Sequence, residues 1–329
     1  MRILVYEHIT GGGMLEDARM SALAPEGDLM LRALVRDLNA VPGVEVSVLR
    51  DFRLPADVPA TMRIVGPGAF DEAFRQAISG CDALWPIAPE TGGILLRITR
   101  EIESSGRRLL GSSGEAIAIA ASKRATAAAL ARAGIATAVV YSRPEEIPAH
   151  LKAVVAKPDD GAGCQDTFLF TTRDALHAWS TVHATANTLY QPYLRGDARS
   201  LSILCCGGRA RLVACNRQKV QVIAGAFHFE GVSVNAVADE GGRYAALAGA
   251  VCAALPGLWG YCGVDFIETA AGPVVIEVNP RVTTAYAGLR RALGINCAQL
   301  VLDLPGSLGA EAPAARHLHA VDLRVAHAH

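Results

Sequence analysis

Residues 274–284, V-V-I-E-V-N-P-R-V-T-T, constrain this chain more than any other stretch. With G-V-D-F-I at 263–267 they place three hard oxygen ligands on one expected β-hairpin. Side chains alternate along a strand, so Val275, Glu277 and Asn279 share one face while Val274, Ile276 and Val278 share the other. A turn centred on Ala271, within T-A-A-G-P, sets Asp265 directly across from Glu277, with Cβ atoms roughly 5 Å apart. Two carboxylates that close repel each other, and a cation would reverse the cost. Asp265, Glu277 and the Asn279 carbonyl are oxygen donors of the kind that suits Mg2+, which keeps waters and binds substrate phosphates. Arg281, two positions further along the same face, is placed to hold a phosphate bidentately. The plainer alternative is a surface hairpin with scattered charges.

The rest of the chain reads as a scaffold of α/β (α+β) class. Its first ~110 residues alternate strand and helix, as a small parallel-sheet domain does. The strands expected there are R-I-L-V-Y, V-E-V-S-V-L and A-L-W-P-I-A, with helices from about Asp28 to Leu38, over Phe70 to Ile78, and after Gly93. Gly11-Gly12-Gly13 follows the first strand, but in that register the third glycine of a dinucleotide fingerprint is replaced by Glu16. From Ser112 two alanine-rich helices are expected, the second capped by Ser122 and ended by Gly134. The loop Pro158 to Cys164 carries only small side chains, as a flap over phosphates requires. Antiparallel strands and a helix, Arg243 to Leu255, then lead into the hairpin.

Composition narrows the partners. A net charge of -1 supplies no field for nucleic acid or an anionic membrane. No apolar run approaches the roughly 20 residues of a membrane span, and Glu7 interrupts the apolar start, which points to a cytoplasmic protein. The eight cysteines form no C-x-x-C pair and read as reduced, buried residues. Four histidines crowd the C-terminal tail, where a solvated terminus and a metal site are the alternatives.

In order and spacing, these pieces resemble the ATP-grasp family over residues 112–305. The resemblance implies an ATP-grasp fold behind an N-terminal pre-ATP-grasp domain, divided as 1–111, 112–191 with both lysines, and 192–329 with the metal hairpin. S-K-R-A-T-A-A-A-L is similar to the family's first lysine segment, which makes Lys123 a phosphate contact. V-V-A-K-P-D-D-G-A-G is similar to the second. Lys157 then reaches the α-phosphate, Gly161, Ala162 and Gly163 form the lid, and Asp160 beside it joins them as an ATP contact. Q-P-Y-L resembles the hinge, so Gln191, Pro192, Tyr193 and Leu194 border the adenine. G-D-A-R-S resembles a segment with an acid at its third position. That position is Ala198 here, and Asp197 is the candidate replacement. Asp265, Glu277 and Asn279 carry over as Mg2+ ligands, one ion or two, with Mn2+ as an alternative. Arg281 and Lys157 are the implied catalytic residues.

The implied reaction passes the γ-phosphoryl group of ATP to a carboxylate, and an amine then displaces phosphate to give an amide and ADP. Across nearly the whole chain, Y-E-H-I-T-G-G-G-M, L-A-P-E-G-D-L-M, I-A-P-E-T-G-G and N-P-R-V-T-T-A-Y-A-G-L resemble a subgroup joining the γ-carboxylate of glutamate to tyramine. On that resemblance Arg217, Gln218, Lys219, Thr283, Thr284 and Tyr286 face the amino acid, and Glu7, Gly12 and Gly13 contribute from the first domain. Loop packing and helix capping are the alternatives for several of these. The partners implied are small molecules, with no nucleic acid, no membrane, and a homodimer allowed.

Overall fold

A computed structural model describes residues 1–161, 163–304 and 319–325. Five strands, β1 (Arg2–Glu7), β2 (Glu45–Asp51), β3 (Thr61–Val65), β4 (Ala83–Ile87) and β5 (Arg108–Leu109), form a parallel sheet ordered β3-β2-β1-β4-β5. Parallel neighbours need crossovers, and α1 (Met20–Asn39), α2 (Phe70–Gly80) and α3 (Ile94–Ser104) supply three of them. Helix α1 starts earlier than Asp28, because Pro25 lies near its N-terminal end and removes only one backbone bond there. That early start sets Glu26 inside the helix rather than in a loop.

Two capped helices follow. In α4 (Gly114–Ala120) the Ser113 side chain accepts from the Ala116 N–H, and in α5 (Lys123–Arg132) Ser122 accepts from Ala125. Gly134, at φ +72°, ends the second as expected. The remaining strands are β6 (Val154–Pro158), β7 (Phe168–Phe170), β8 (Thr188–Pro192), β9 (Asp197–Cys206), β10 (Arg209–Ile223), β11 (Ala226–Val237), β12 (Gly260–Thr269), β13 (Gly272–Asn279) and β14 (Val321–Arg324). They form an antiparallel sheet ordered β13-β12-β9-β10-β11-β7-β6-β8, with β14 on the side of β11. Strands β11 and β7 meet at one pair, Ala226 and Phe168. That narrow seam separates β6–β8, which pack on α6 (Arg173–His183), from the larger part that packs on α7 (Arg243–Ala254), and a cleft opens between the two.

The β12–β13 hairpin does pair Asp265 with Glu277, by a different route from the one expected. Thr269 pairs with Gly272, so the turn is centred between Ala270 and Ala271. The half-residue offset is absorbed where Phe266 pairs with Val275 and Asp265 with Glu277, leaving Ile276 as a bulge. The grouping of Val275 with Glu277 is thereby corrected. Val275 and Val278 enter the core, while Ile276, Glu277 and Asn279 line the cleft.

Strand β14 closes the far side, and one glycine permits it. Gly231 has φ +139°, and a Cβ there would lie 2.0 Å from the Leu323 carbonyl oxygen. Gly231→Ala is expected to push β14 off β11 and lower the unfolding free energy by roughly 1–3 kcal/mol. Chemical denaturation should show a lower urea midpoint at unchanged slope. Among the described residues all eight cysteines are unpaired, and no helix is long and apolar enough to cross a membrane.

Candidate active site

Both lysines reach the cleft by local chemistry at one corner. Asp159, just past β6, accepts from the Ser122 hydroxyl at 2.7 Å and the Arg124 N–H at 2.9 Å, which ties the start of α5 to the end of β6. Lys123 is thereby buried, with Nζ donating to the Gly161 carbonyl at 2.5 Å and lying 3.4 Å from Glu277. Lys157 stands on β6, also buried. Burial, then the charge of Lys123, pulls its pKa down to about 8.

Facing them are the hairpin oxygens. Burial, then the neighbouring Glu277 carboxylate, pushes Asp265 up to about 7, while Gln218 and Asn279 donate to it and oppose the shift. The Asn279 amide donates to Asp265 at 3.2 Å. Protonating a buried carboxyl is how a protein relieves unmatched negative charge, so this pair is chemically suited to a divalent cation. Among the described residues no group of three or more His, Cys, Asp and Glu side chains could hold a metal ion. Two carboxylates and an amide are an incomplete cage, which suits an ion that keeps waters and takes phosphate oxygens.

Arg281 is buried beside them and is already engaged. Its Nε and Nη2 donate to Glu90 at 3.0 and 2.8 Å. The fork expected to clasp a phosphate thus carries a carboxylate from the N-terminal sheet domain, while Nη1 donates to the Val282 carbonyl at 3.3 Å. Elsewhere in the cleft, Val155, Tyr193, Leu194, Phe227 and Ile267 give apolar walls for a flat ring, with Gln191 and Pro192 beside them.

Several expected residues are turned elsewhere. Asp160 accepts from the Gly92 N–H at 2.8 Å and from Asn187 at 2.6 Å, so it fastens the lid loop to the first domain. Gly161 and Gly163 do line the cleft, and Ala162 lies outside the described residues. Asp197 is exposed and paired with Arg199 at 2.8 Å, while Ala198 and Ser200 face the cleft. Strand alternation similarly divides three neighbours on β10. Gln218 faces the cleft, Arg217 is exposed, and Lys219 pairs with Asp322 at 2.8 Å. Tyr286 is buried in α8 (Tyr286–Leu293), its hydroxyl donating to Asp37 at 3.1 Å, so it is a core residue. Thr283 and Thr284 line the cleft, and Thr284 donates to Glu26.

A second cavity of about 620 Å3 adjoins the first. Glu7 and Gly13 line it, whereas Gly12, at φ +93°, packs against Val65. Glu7 is buried and accepts from the Thr10 N–H at 2.7 Å and the Thr10 hydroxyl at 2.6 Å. Glu26 and Glu90 enter the sequence reading only as members of L-A-P-E-G-D-L-M and I-A-P-E-T-G-G. Both acids follow an Ala-Pro pair, at 24–26 and 88–90, and that recurrence is the one signal that marks them.

A family model of the ATP-grasp domain matches residues 120–285, and one of the pre ATP-grasp 3 domain matches 44–117. The chain therefore belongs to the ATP-grasp family. Within it, the chain is similar to the tyramine–L-glutamate ligase of Methanocaldococcus jannaschii, 31% identical over 88% of this chain and 84% of that protein. The protein of the same name from Methanocaldococcus fervens is 28% identical over 88% of this chain and 89% of its own. Among solved structures, an ATP-grasp superfamily protein from Archaeoglobus fulgidus superposes with a TM-score of 0.70 at 23% identity, covering 92% of this chain and 88% of that one.

Proposed function

We propose that the protein is an ADP-forming ligase that joins the γ-carboxylate of glutamate to a primary amine, tyramine in the first instance, through an acyl phosphate. One observation carries this reading. Lys123, Lys157, Asp265, Glu277, Asn279 and Arg281 converge on one cleft, and that cleft opens into an acid-lined cavity of the first domain. The substrate pair is drawn from the similarity to the two Methanocaldococcus ligases.

Asp265, Glu277 and Asn279 would hold Mg2+, which when bound supplies positive charge to the phosphate oxygens. Lys123 and Lys157 fix the phosphates in line with the donor carboxylate, so that little motion separates bound state from transition state. Arg281, held by Glu90, balances the charge that spreads over the transferring group. Gly161 and Gly163 let the lid approach the phosphates closely and keep water from the acyl phosphate. No protein nucleophile takes part.

The test is ADP release from ATP and Mg2+ with glutamate, tyramine, or both. ADP that requires both substrates, with a γ-glutamyl amide as the product, is the expected result. No ADP with any amine in a broad panel would overturn the ligase reading in favour of nucleotide binding without turnover. ADP with a different acid and amine would keep the chemistry and replace the substrates.

A further inference from the structure

Glu26 belongs to both cavities. It lines the nucleotide cleft and the cavity of the first domain, which also share Arg281, Gly163 and Gln165. An amine that attacks an acyl phosphate made in the first cavity, while its remainder occupies the second, has to pass its nitrogen through this junction. We infer that Glu26 anchors the ammonium group of the acceptor and takes its proton, and that the second cavity holds the acceptor's apolar tail.

Charge at the junction supports this. The two cations on the wall are already matched, Arg19 by Asp17 at 2.6 Å and Arg281 by Glu90 at 2.8 Å. Glu26 is held by the Thr284 hydroxyl, and among the described residues no salt bridge joins it to a lysine or arginine. A carboxylate held by one neutral donor, near enough to Arg281 to feel its charge while Arg281 is paired with Glu90, suits an incoming cation. Beyond it Met14, Leu23, Met30, Ile87 and Ile94 form the apolar part of a wall that also carries Glu7, Glu16 and Asp17, and that part suits an aryl or alkyl tail. Position is secured by the helix. Gly27 lets α1 lie against the first strand, since a Cβ there would sit 2.7 Å from the Glu7 carboxylate, and Glu26 is its neighbour.

The step balances. The ammonium gives one proton to the Glu26 carboxylate, and the freed lone pair forms the C–N bond at the acyl carbon. The C–O bond to phosphate breaks, and its electron pair leaves on phosphate. A second nitrogen proton departs with phosphate, and Glu26 returns its own to solvent.

This inference rests on the ligase reading, and two measurements keep their failures apart. Hydroxylamine, uncharged and tailless near neutral pH, needs neither the anchor nor the cavity. In Glu26→Gln, which retains an oxygen for Thr284, the ratio of tyramine amide to glutamyl hydroxamate is expected to fall at least thirtyfold. An unchanged ratio would overturn the assignment. Calorimetric titration with tyramine in the presence of ATP needs no donor acid, and binding should weaken at least tenfold in Glu26→Gln. Equal binding by wild type and variant also overturns it. Failure of the ligase reading looks different: the wild type then makes neither product, while the titration still reports on Glu26.

Discussion

Glu277→Ala is expected to lower ADP formation by about 10³-fold at saturating ATP and amine. Glu277 is tied to both halves of the charge pattern, pairing across strands with Asp265 and lying 3.4 Å from Lys123. Removing a single preorganised donor aimed at developing charge costs on the order of 10² to 10³ in rate, and by that measure this change, which takes away two functions at once, falls at the upper end. Asp265 becomes a lone carboxylate with an amide, a weak site for a cation that dehydrates reluctantly. Lys123 loses its counter-charge and is free to settle on the Asp159 and Gly161 carbonyls that it already touches. A coupled ADP assay across a Mg2+ titration checks this. The rate should stay low at every Mg2+ concentration, while the thermal midpoint moves by only a few degrees. Wild-type turnover in Glu277→Ala would remove the metal hairpin from the mechanism, and with it the main support for the ligase reading.

What could be read from residues alone follows from how local the cause is. The pairing of Asp265 with Glu277 was legible because a hairpin is closed by its own turn, within a span of thirteen residues. The bulge at Ile276 was not, since it depends on Val275 and Val278 both being drawn into a core built with α7 and β9. Ser122 and Gly134 mark their helix by capping chemistry, which acts within a turn. Strand alternation itself separates Arg217 and Lys219 from Gln218, because neighbours on a strand cannot all face one ligand. Tyr286 looked like part of a polar run after Arg281, yet Asp37 on α1, far away in the chain, gives its hydroxyl a buried partner. The same distance hid the pairs Glu90 with Arg281 and Glu26 with Thr284. Such pairs form only after the two domains dock, and no periodicity within either segment encodes them.

Lys157 separates binding from chemistry through pH. Its ammonium is penalised by burial and by Lys123, so the free enzyme holds this proton only below about 8. The sign follows directly: as pH rises through that value the lysine becomes neutral and loses its hold on phosphate. Bound ATP supplies negative charge that favours the ammonium and moves the pKa back up. The loss should therefore appear in kcat/KM for ATP, which reports the free enzyme, and be displaced to higher pH in kcat. The same penalty acts on folding. Because the folded-state pKa lies below the ordinary lysine value, the unfolded chain binds more protons between the two, and the apo protein gains stability as pH rises through that window. Lys157→Met is expected to reduce kcat/KM for ATP by about 10²-fold or more and to raise apo stability, because it removes a buried cation. Lys157→Arg should retain part of the activity and lose the alkaline limb, since a guanidinium does not deprotonate in this range. Initial-rate profiles from pH 6 to about 9.5, with denaturation of the same three proteins, test both claims together. A limb that persists unchanged in Lys157→Arg would assign the titration to another group.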